Sequence, residues 1–244
     1  MFPVVIYGYP GDQHKTAATK WLPFGTKMIL SDGREFRYGR NGAVLGVAGN
    51  LYQAATLEAN HVSLDVQTAG AGGDVTQKVT LGATAAAADL YLDGFLAGED
   101  SAGTGYQYAY QISSHRAVAS AGTFTVPLNE PLKVATTTST QFSLFKNLYD
   151  GVLIHPSPPI LPVAGVLPNA TTASYYCWMQ TKGFASVLSE GTLVVGRNAM
   201  PSAVTNGAFG PWTAGGTDEI AVAIVHRVVG DAKYAGVILT IPGG

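Results

Sequence analysis

The sequence is poor in cysteine and in charged residues. One cysteine, Cys177, stands among 244 residues, and a single thiol can form neither an internal disulfide nor a zinc site of several thiolates. Charged residues make up 12% of the chain, about half the ~25% that is usual for soluble proteins. So few charges do little to keep neighbouring molecules apart. This composition favours a subunit that buries much of itself in an assembly over an unusually apolar monomer.

Long apolar runs and concentrated positive charge are also missing. No uninterrupted apolar run approaches ~18 residues, so we expect no membrane span. The start, MFPVVIYGYPGDQHK, lacks the basic region of a signal peptide, and Gly8 and Pro10 break its apolar run. The 14 basic residues are scattered, whereas nucleic-acid binding needs a concentrated basic face. We expect a protein that is made in the cytoplasm and binds neither nucleic acid nor membrane.

The patterns of common catalytic and ligand sites are missing as well. His14 replaces the glycine that a phosphate loop needs before Lys15, and no serine lies in a G-x-S-x-G motif. None of the five histidines has the spacing of a local metal site. Ser114 and His115 are adjacent, so on a strand their side chains point to opposite faces, and we expect His115 to close a loop by hydrogen bonding. The sequence predicts no catalytic residue, no cofactor and no metal site.

Cys177 lies in a strand pattern. Over residues 174–181, alternation places Tyr175, Cys177 and Met179 on one face and Tyr176, Trp178 and Gln180 on the other. Both faces are largely apolar, which predicts a strand buried on two sides. A reactive thiolate needs exposure and cationic surroundings, so we expect this thiol to be inert. Turns are predicted at Lys182-Gly183 and at Glu190-Gly191, each between strands.

Turn signals and short alternating segments dominate the rest of the chain. Asp32-Gly33 joins KMIL (27–30) to REFRYG (34–39) in a predicted hairpin, because this dipeptide adopts the positive φ angles of a tight turn. Further strands are predicted at 62–66, 75–81, 90–96, 105–112, 123–127, 131–135, 141–146, 151–155, 174–181, 192–195, 221–228 and 234–241. Their spacing is typical of sandwiches or barrels, and GATAAAAD (82–89) allows only a short helix. We predict an all-β protein of β-barrel or β-sandwich domains with short hairpins and little helix.

A composition shift predicts an inserted domain. Residues 59–147 are rich in Ala, Thr and Val, and the flanking segments are denser in aromatics and turns. We predict an N-terminal arm at 1–24, a barrel domain at 25–58 plus 148–244, and an inserted sandwich-like domain at 59–147. A tandem arrangement with a break near 150 is the alternative. HPSPPILPVAGVLP (155–168) holds five prolines, which predicts an extended crossover and no central strand.

The first 24 residues carry aromatic side chains with little core-like alternation. Tyr7, Tyr9 and Trp21 are therefore predicted to make intersubunit contacts, as parts of an extended arm that reaches a neighbouring subunit. The alternative is that the segment packs on its own domain.

Several motifs resemble a family of virion proteins of tailed bacteriophages. The resemblance is carried by YGYPGDQHKTA (7–17), LPFGTKMILSDGREFRYGRNG (22–42), ANHVSLDV (59–66), GYQYAYQISSH (105–115), NLYDGVLIHPSPP (147–159) and YYCWMQTKGFASVLSEGTLVVGRNAMPS (175–202). It covers nearly the whole chain in order. It implies a structural protein of the kind encoded beside the major capsid protein in marine phages.

The C-terminal part also resembles the small cement proteins that decorate phage heads. Its VVGRNAMPS (194–202) resembles their ending G-D/N-x-V-x-P-S, with Arg197 where an acidic residue is common. The resemblance implies a compact β-barrel that forms a homotrimer on the outer head surface of the virion. Such a protein binds the major capsid protein and stabilises the joints between capsid subunits, and no catalytic residues come with the resemblance.

Two other roles stay open. One is a virion adhesion module that binds host glycans through Tyr106, Tyr108 and Tyr110. These tyrosines alternate on one predicted strand face, where they either stack on sugars or pack in a core. The other is a structural protein of the tail or connector.

Overall fold

A computed structural model describes residues 5–99, 107–158, 160–212 and 220–242. Along these residues the chain forms seventeen strands and one 3-10 helix, Asp12–His14. The strands are β1 Val5–Gly8, β2 Lys27–Leu30, β3 Glu35–Asn41, β4 Leu51–Gln53, β5 Leu64–Thr68, β6 Thr76–Thr80, β7 Phe95–Gly98, β8 Ala109–Gln111, β9 Thr123–Pro127, β10 Gln141–Phe145, β11 Asp150–Ile154, β12 Val163–Val166, β13 Tyr176–Leu188, β14 Asn198–Pro201, β15 Phe209–Pro211, β16 Ala223–Arg227 and β17 Tyr234–Thr240. The prediction of an all-β fold with barrel-like features is confirmed.

The chain folds into two compact units. Unit 1 comprises Met1–Ala55 and Leu148–Gly244, and unit 2 comprises Thr56–Asn147. Unit 2 is thus inserted between β4 and β11, where the sequence places an insertion at 59–147. The described part of the segment assigned to an arm, residues 5–24, belongs to unit 1.

Five strands of unit 1 close into a barrel in the order β3–β11–β4–β12–β13, with β13 returning to β3. Four of these strands contribute to one core, which includes Tyr52, Val152, Ala164 and Met179. Gly39 lies where β3 passes β13. A Cβ atom at Gly39 would lie 2.1 Å from Met179 Cε and 2.5 Å from the Tyr149 carbonyl oxygen, so only glycine allows this close approach.

The barrel strands continue into a wider sheet on both sides. Beyond β3 lie β2 and then β1, which runs parallel to β2. A core that includes Met28, Phe36, Tyr38 and Trp178 lies beneath this extension. Beyond β13 lie β17, β16, β14 and β15, packed on a separate core that includes Phe209. Unit 1 therefore has three cores on one continuous sheet.

The predicted turn at Lys182-Gly183 is wrong. β13 runs without interruption through both residues, and Gly183 pairs with Leu239 of β17. Its φ of 85° lies next to a register shift between Gln180 and Lys182, where β13 leaves β3. Glycine at positive φ serves a bulge as well as a turn, and here it bends one strand that belongs to both the barrel and the outer sheet.

Two further predictions about local structure are corrected. The proline-rich segment 155–168 contains β12, a strand of the closed barrel, because its four residues lie between Pro162 and Pro168 and include no proline themselves. Residues 131–135 and 192–195 form no strand, and 82–89 form turns and one isolated bridge in place of a short helix. Short apolar runs next to glycine or proline do not separate strands from irregular loops.

Unit 2 is a curled six-stranded sheet in the order β8–β7–β10–β5–β6–β9. Its two ends meet, because Ile112, just after β8, forms a bridge with Leu128, just after β9. Leu96, Phe124 and Phe142 are among the side chains of its core. The curl therefore encloses one core and leaves neither end strand without a neighbour.

Candidate functional site

The N-terminal segment is bound to unit 1 at three places. β1 pairs with β2 in an unbroken parallel register, and the partly buried Ile6 packs on the core beneath them. Farther along, Ala17 and Tyr176 exchange two backbone hydrogen bonds of 3.0 and 2.8 Å. The described part of the predicted arm thus forms an edge strand and a 3-10 turn on its own unit, since Ile6 and Trp21 find apolar partners there.

The three predicted contact residues have different surroundings. Tyr7 on β1 and Tyr9 just after it are 83% and 80% exposed. Trp21 is also exposed in part, but its ring packs edge-on against Tyr38 and Trp178, with centroids 5.4 and 6.2 Å away. Its backbone N–H donates to the Tyr38 hydroxyl at 3.2 Å. Trp21 therefore completes the core beneath β1–β3, whereas Tyr7 and Tyr9 present whole rings to solvent.

A second exposed surface was missed by the sequence-based prediction. Residues 43–48, AVLGVA, form a loop between β3 and β4 in which Val44, Leu45 and Val47 are exposed, Leu45 by 64%. We call this segment the apolar loop. Six consecutive uncharged, apolar residues without strand alternation, bounded by Gly42 and Gly49, were the available signal.

The apolar loop is held in one conformation by its backbone. The Asn41 side-chain amide donates to the Val44 carbonyl at 2.8 Å, and the Val47 N–H donates to the hydroxyl of the buried Tyr52 at 2.7 Å. Gly46 exchanges hydrogen bonds of 2.7 and 3.1 Å with Thr171. These contacts fix the backbone while the aliphatic side chains remain in water.

An open groove of about 540 Å³ begins at the end of the apolar loop. Its walls are mainly apolar, with Val166, Leu167, Phe184 and Tyr234 among the lining residues, and Arg34 and His14 supply the basic groups. None of the residues that line it carries a carboxylate. The groove therefore presents a largely apolar surface with two basic side chains.

Cys177 is buried in the barrel core, as predicted. It is 1% exposed and lies with Met179 and Tyr149 in one core, while Tyr176 and Trp178 pack in the core on the other face of β13. Burial raises the pKa of the Cys177 thiol to about 12. The thiol is therefore protonated at neutral pH, and the thiolate that a nucleophile requires is disfavoured.

Two histidines of unit 2 hold a buried tyrosine. The Tyr91 N–H donates to His115 Nε2 at 3.0 Å, so His115 carries its proton on Nδ1 and donates it to the Arg116 carbonyl at 2.9 Å. His61 bonds the Tyr91 hydroxyl through Nδ1 and the Thr84 carbonyl through Nε2. The prediction that His115 closes a loop is confirmed, and Ser114 next to it donates to Asp89 at 2.8 Å.

His155 is also buried, but its environment differs from the hydrogen-bonded environments of His61 and His115. It is 0% exposed, and neither of its ring nitrogens has a hydrogen-bond partner among the described residues. Its backbone N–H donates to the Leu51 carbonyl at 3.0 Å, which places the ring on the side of the sheet where Leu51 packs. Burial lowers the pKa of His155 below its ordinary value, which favours the uncharged imidazole at neutral pH.

The tyrosines considered for glycan binding do not form a common exposed face. Tyr106 lies outside the described residues. Tyr110 is buried in the core of unit 2, where its hydroxyl accepts a hydrogen bond of 3.0 Å from the Lys133 N–H, and Tyr108 is partly exposed beside it. On the outer face of the same sheet, Phe95 and Phe145 lie directly opposite each other on β7 and β10, both exposed.

Searches for other kinds of site were negative within the described ranges. No group of three or more His, Cys, Asp or Glu side chains there could hold a metal ion. Among the same residues, no helix has the length and apolar character needed to cross a membrane. Comparisons with family models, with curated proteins and with solved structures found no match to this chain.

Proposed function

We propose that this chain is a phage capsid decoration (cement) protein. In this role it binds the major capsid protein on the outer head surface, as the homotrimer that the sequence resemblance implies, and it stabilises joints between capsid subunits without catalysis. The observation that best supports the proposal is the apolar loop, with Val44, Leu45 and Val47 exposed on a fixed backbone.

A fixed apolar surface suits an additive structural role. Burying one Val or Leu side chain contributes about 1.5–3 kcal/mol, and a backbone that is already ordered loses little further entropy on docking. Many copies that bind only the assembled shell would shift the equilibrium toward the intact particle by mass action. The low charge of the chain agrees with such contacts, since charged residues are depleted at interface centres.

The role is tested with purified heads that carry or lack this protein. We expect heads without it to release DNA at a lower temperature and after milder osmotic shock, and re-addition of the protein to restore resistance. Equal resistance of the two kinds of head would exclude a cementing role. Immunogold labelling of the virion gives the location: regular label over the head is expected, and label confined to the tail or to one vertex would favour the tail or connector alternative.

The role of the apolar loop in binding is tested by a substitution that introduces one charge. Leu45→Asp would place a carboxylate at the centre of the proposed contact and is expected to lower binding to undecorated heads by about tenfold or more. Val204→Asp is the matched control, because Val204 is also an exposed aliphatic side chain of unit 1. Equal binding by both variants would assign the contact to another surface.

The adhesion alternative is favoured by one observation in unit 2. Phe95 and Phe145 are opposite each other on β7 and β10. Next to Phe95 lies the partly exposed Gln111 of β8, which accepts a hydrogen bond of 3.1 Å from the Asn129 side-chain amide. Two aromatic faces with amides at their side suit stacking and hydrogen bonding to a sugar. A glycan array in which the wild type binds and Phe95→Ala does not would establish this role, and an array without binding would remove it.

A further inference from the structure

Within the described ranges, the sheet of unit 1 has one open edge. β1 is its outermost strand at one end, and its backbone pairs only with β2 among the described residues. The strand at the other end, β15, contains Pro211 and is covered by residues 189–190, through a bridge from Ser189 to Phe209 and a 2.8 Å hydrogen bond from the Glu190 N–H. The two end strands of unit 2 are covered by each other, as described above.

Apart from its short length of four residues, β1 lacks the features that usually protect an edge strand. Natural proteins guard such edges with lysine, proline, bulges or inward-pointing charges. The strand sequence VIYG contains neither lysine nor proline, and the register from Val5 to Gly8 has no bulge. An unguarded edge offers unpaired N–H and C=O groups to another extended strand.

The side chains of β1 alternate between the core and the solvent. Ile6 packs on the core, and Gly8 lies so close to Met28 that a Cβ atom would be 2.5 Å from its sulfur. Val5 and Tyr7 point the other way and are exposed. The strand is thus held firmly on one side, and its open edge carries uncharged side chains.

We propose that β1 pairs antiparallel with β1 of a second copy of this chain across a two-fold axis. The segment Val5–Gly11 has no charged residue, so self-pairing brings no like charges together. A two-fold contact of identical strands is self-complementary, so each β1 edge is occupied by one partner strand. Because the opposite end of the sheet is covered, such pairing does not continue into a fibre.

The strand pair is independent of the proposed function. It joins two copies whether each is a single chain or a member of a trimer, so its first test uses the purified chain in solution. Failure of this test would leave the cementing role to be decided by the experiments on heads, and failure of those would leave the strand pair intact.

The test compares wild type, Tyr7→Lys, Tyr7→Glu and a control, Val204→Lys, by sedimentation equilibrium at about 100 µM. Tyr7 is on the open edge and outside the core, so its variants are expected to keep the fold, which circular dichroism and thermal melting check. We expect Tyr7→Lys and Tyr7→Glu each to lower the molecular mass, to half where the strand pair is the only contact between copies, because each places like charges on both copies beside the two-fold axis. Val204→Lys is expected to have the wild-type mass.

The decisive experiment mixes the two Tyr7 variants. Opposite charges then face each other across the pair, and the doubled mass is expected to return as a one-to-one complex. Amide hydrogen exchange in residues 5–8 is expected to slow as the wild-type concentration rises, and not to change in Tyr7→Lys. Equal masses for the wild type and Tyr7→Lys, or a mixture that does not associate, would overturn the proposal.

Discussion

Cys177, His155 and Tyr38 are ionisable side chains that the fold removes from water. Burial raises the pKa of Cys177 and of Tyr38 to about 12 each, and it lowers the pKa of His155. All three directions favour the neutral form, because an apolar environment disfavours charge. These buried side chains therefore contribute to packing. Their burial should make Cys177 resistant to thiol reagents and should make the folded protein less stable in acid.

Cys177 is expected to resist thiol reagents in the folded protein. At pH 8 the thiolate fraction is very small, because the raised pKa lies far above this pH, and the side chain is 1% exposed. Iodoacetamide treatment followed by mass spectrometry should show no modification in the native state. The same protein in guanidinium chloride should be fully alkylated, and rapid labelling of the native protein would contradict the burial of this thiol.

His155 is expected to make the protein less stable in acid. Its folded-state pKa lies below the ordinary value of 6.5, so below about pH 6.5 the unfolded chain binds a proton that the folded chain does not. The free energy of unfolding should therefore fall as the pH decreases from about 6.5 toward the folded pKa, and it should be unaffected by this group above that range.

The measurement is urea unfolding at pH 7.5 and pH 5. His155→Leu should reduce the loss of stability between the two pH values, whereas His226→Leu, a change at an exposed histidine, should keep the wild-type loss. The same pH dependence in wild type and His155→Leu would show that other groups cause it.

Strands with a turn dipeptide or an alternating pattern were predictable from the sequence, and the shortest strands, which depend on long-range pairing, were not. Asp32-Gly33 gave the β2–β3 hairpin, in which Gly33 has a φ of 82°. β4 has only three residues, Leu51–Gln53, and it exists because β11 and β12 pair with it on both sides. Such a strand carries no local pattern, since its partners lie about a hundred residues away in sequence.

Prediction from local sequence has the same limit for the candidate contact surfaces. Tyr7 and Tyr9 are exposed, and their contact role stays a prediction. The choice between an arm and an edge strand depends on the pairing of β1 with β2. The role of Trp21 depends on Tyr38 and Trp178, which approach it only in the folded sheet. Composition therefore identified the aromatic segment, but only tertiary packing separates the buried contacts of Trp21 from the exposed rings of Tyr7 and Tyr9.

Gly39 is expected to be essential for the crossing of β3 and β13. In Gly39→Ala the new methyl group would overlap Met179 and the Tyr149 carbonyl, so we expect a loss of about 1–3 kcal/mol or more in the free energy of unfolding. Gly230→Ala is the control in the same unit, because its nearest neighbours would be 3.9 Å away. It should change stability by less than about 0.5 kcal/mol. Equal stability of the two variants, measured by denaturant unfolding, would contradict the tight crossing.

The whole molecule consists of a barrel unit that is interrupted once by a second unit. Unit 2 has its own core and a sheet whose ends meet. Near its two chain ends, Glu58 and Lys146 form a partly buried ion pair. A closed sheet with one core has what independent folding requires.

Residues 56–147 are therefore expected to fold alone. The excised unit should unfold in a single cooperative transition and give a dispersed amide NMR spectrum. Glu58→Gln in the excised unit should lower its melting temperature, because Lys146 would lose its anionic partner. A fragment that is unfolded at room temperature would show that unit 2 depends on the rest of the chain.

The point between β4 and β11 where unit 2 is inserted is also a position at which unit 2 could be replaced. β4 and β11 are antiparallel neighbours in the barrel, and the Cβ positions of Gly151 and Ala55 are 3.7 Å apart. A short hairpin turn could therefore replace the whole of unit 2 without altering the strand order of the barrel. Gene segments that encode an unrelated domain with adjacent termini could be recombined at this site, which makes the barrel a platform for displaying foreign cargo.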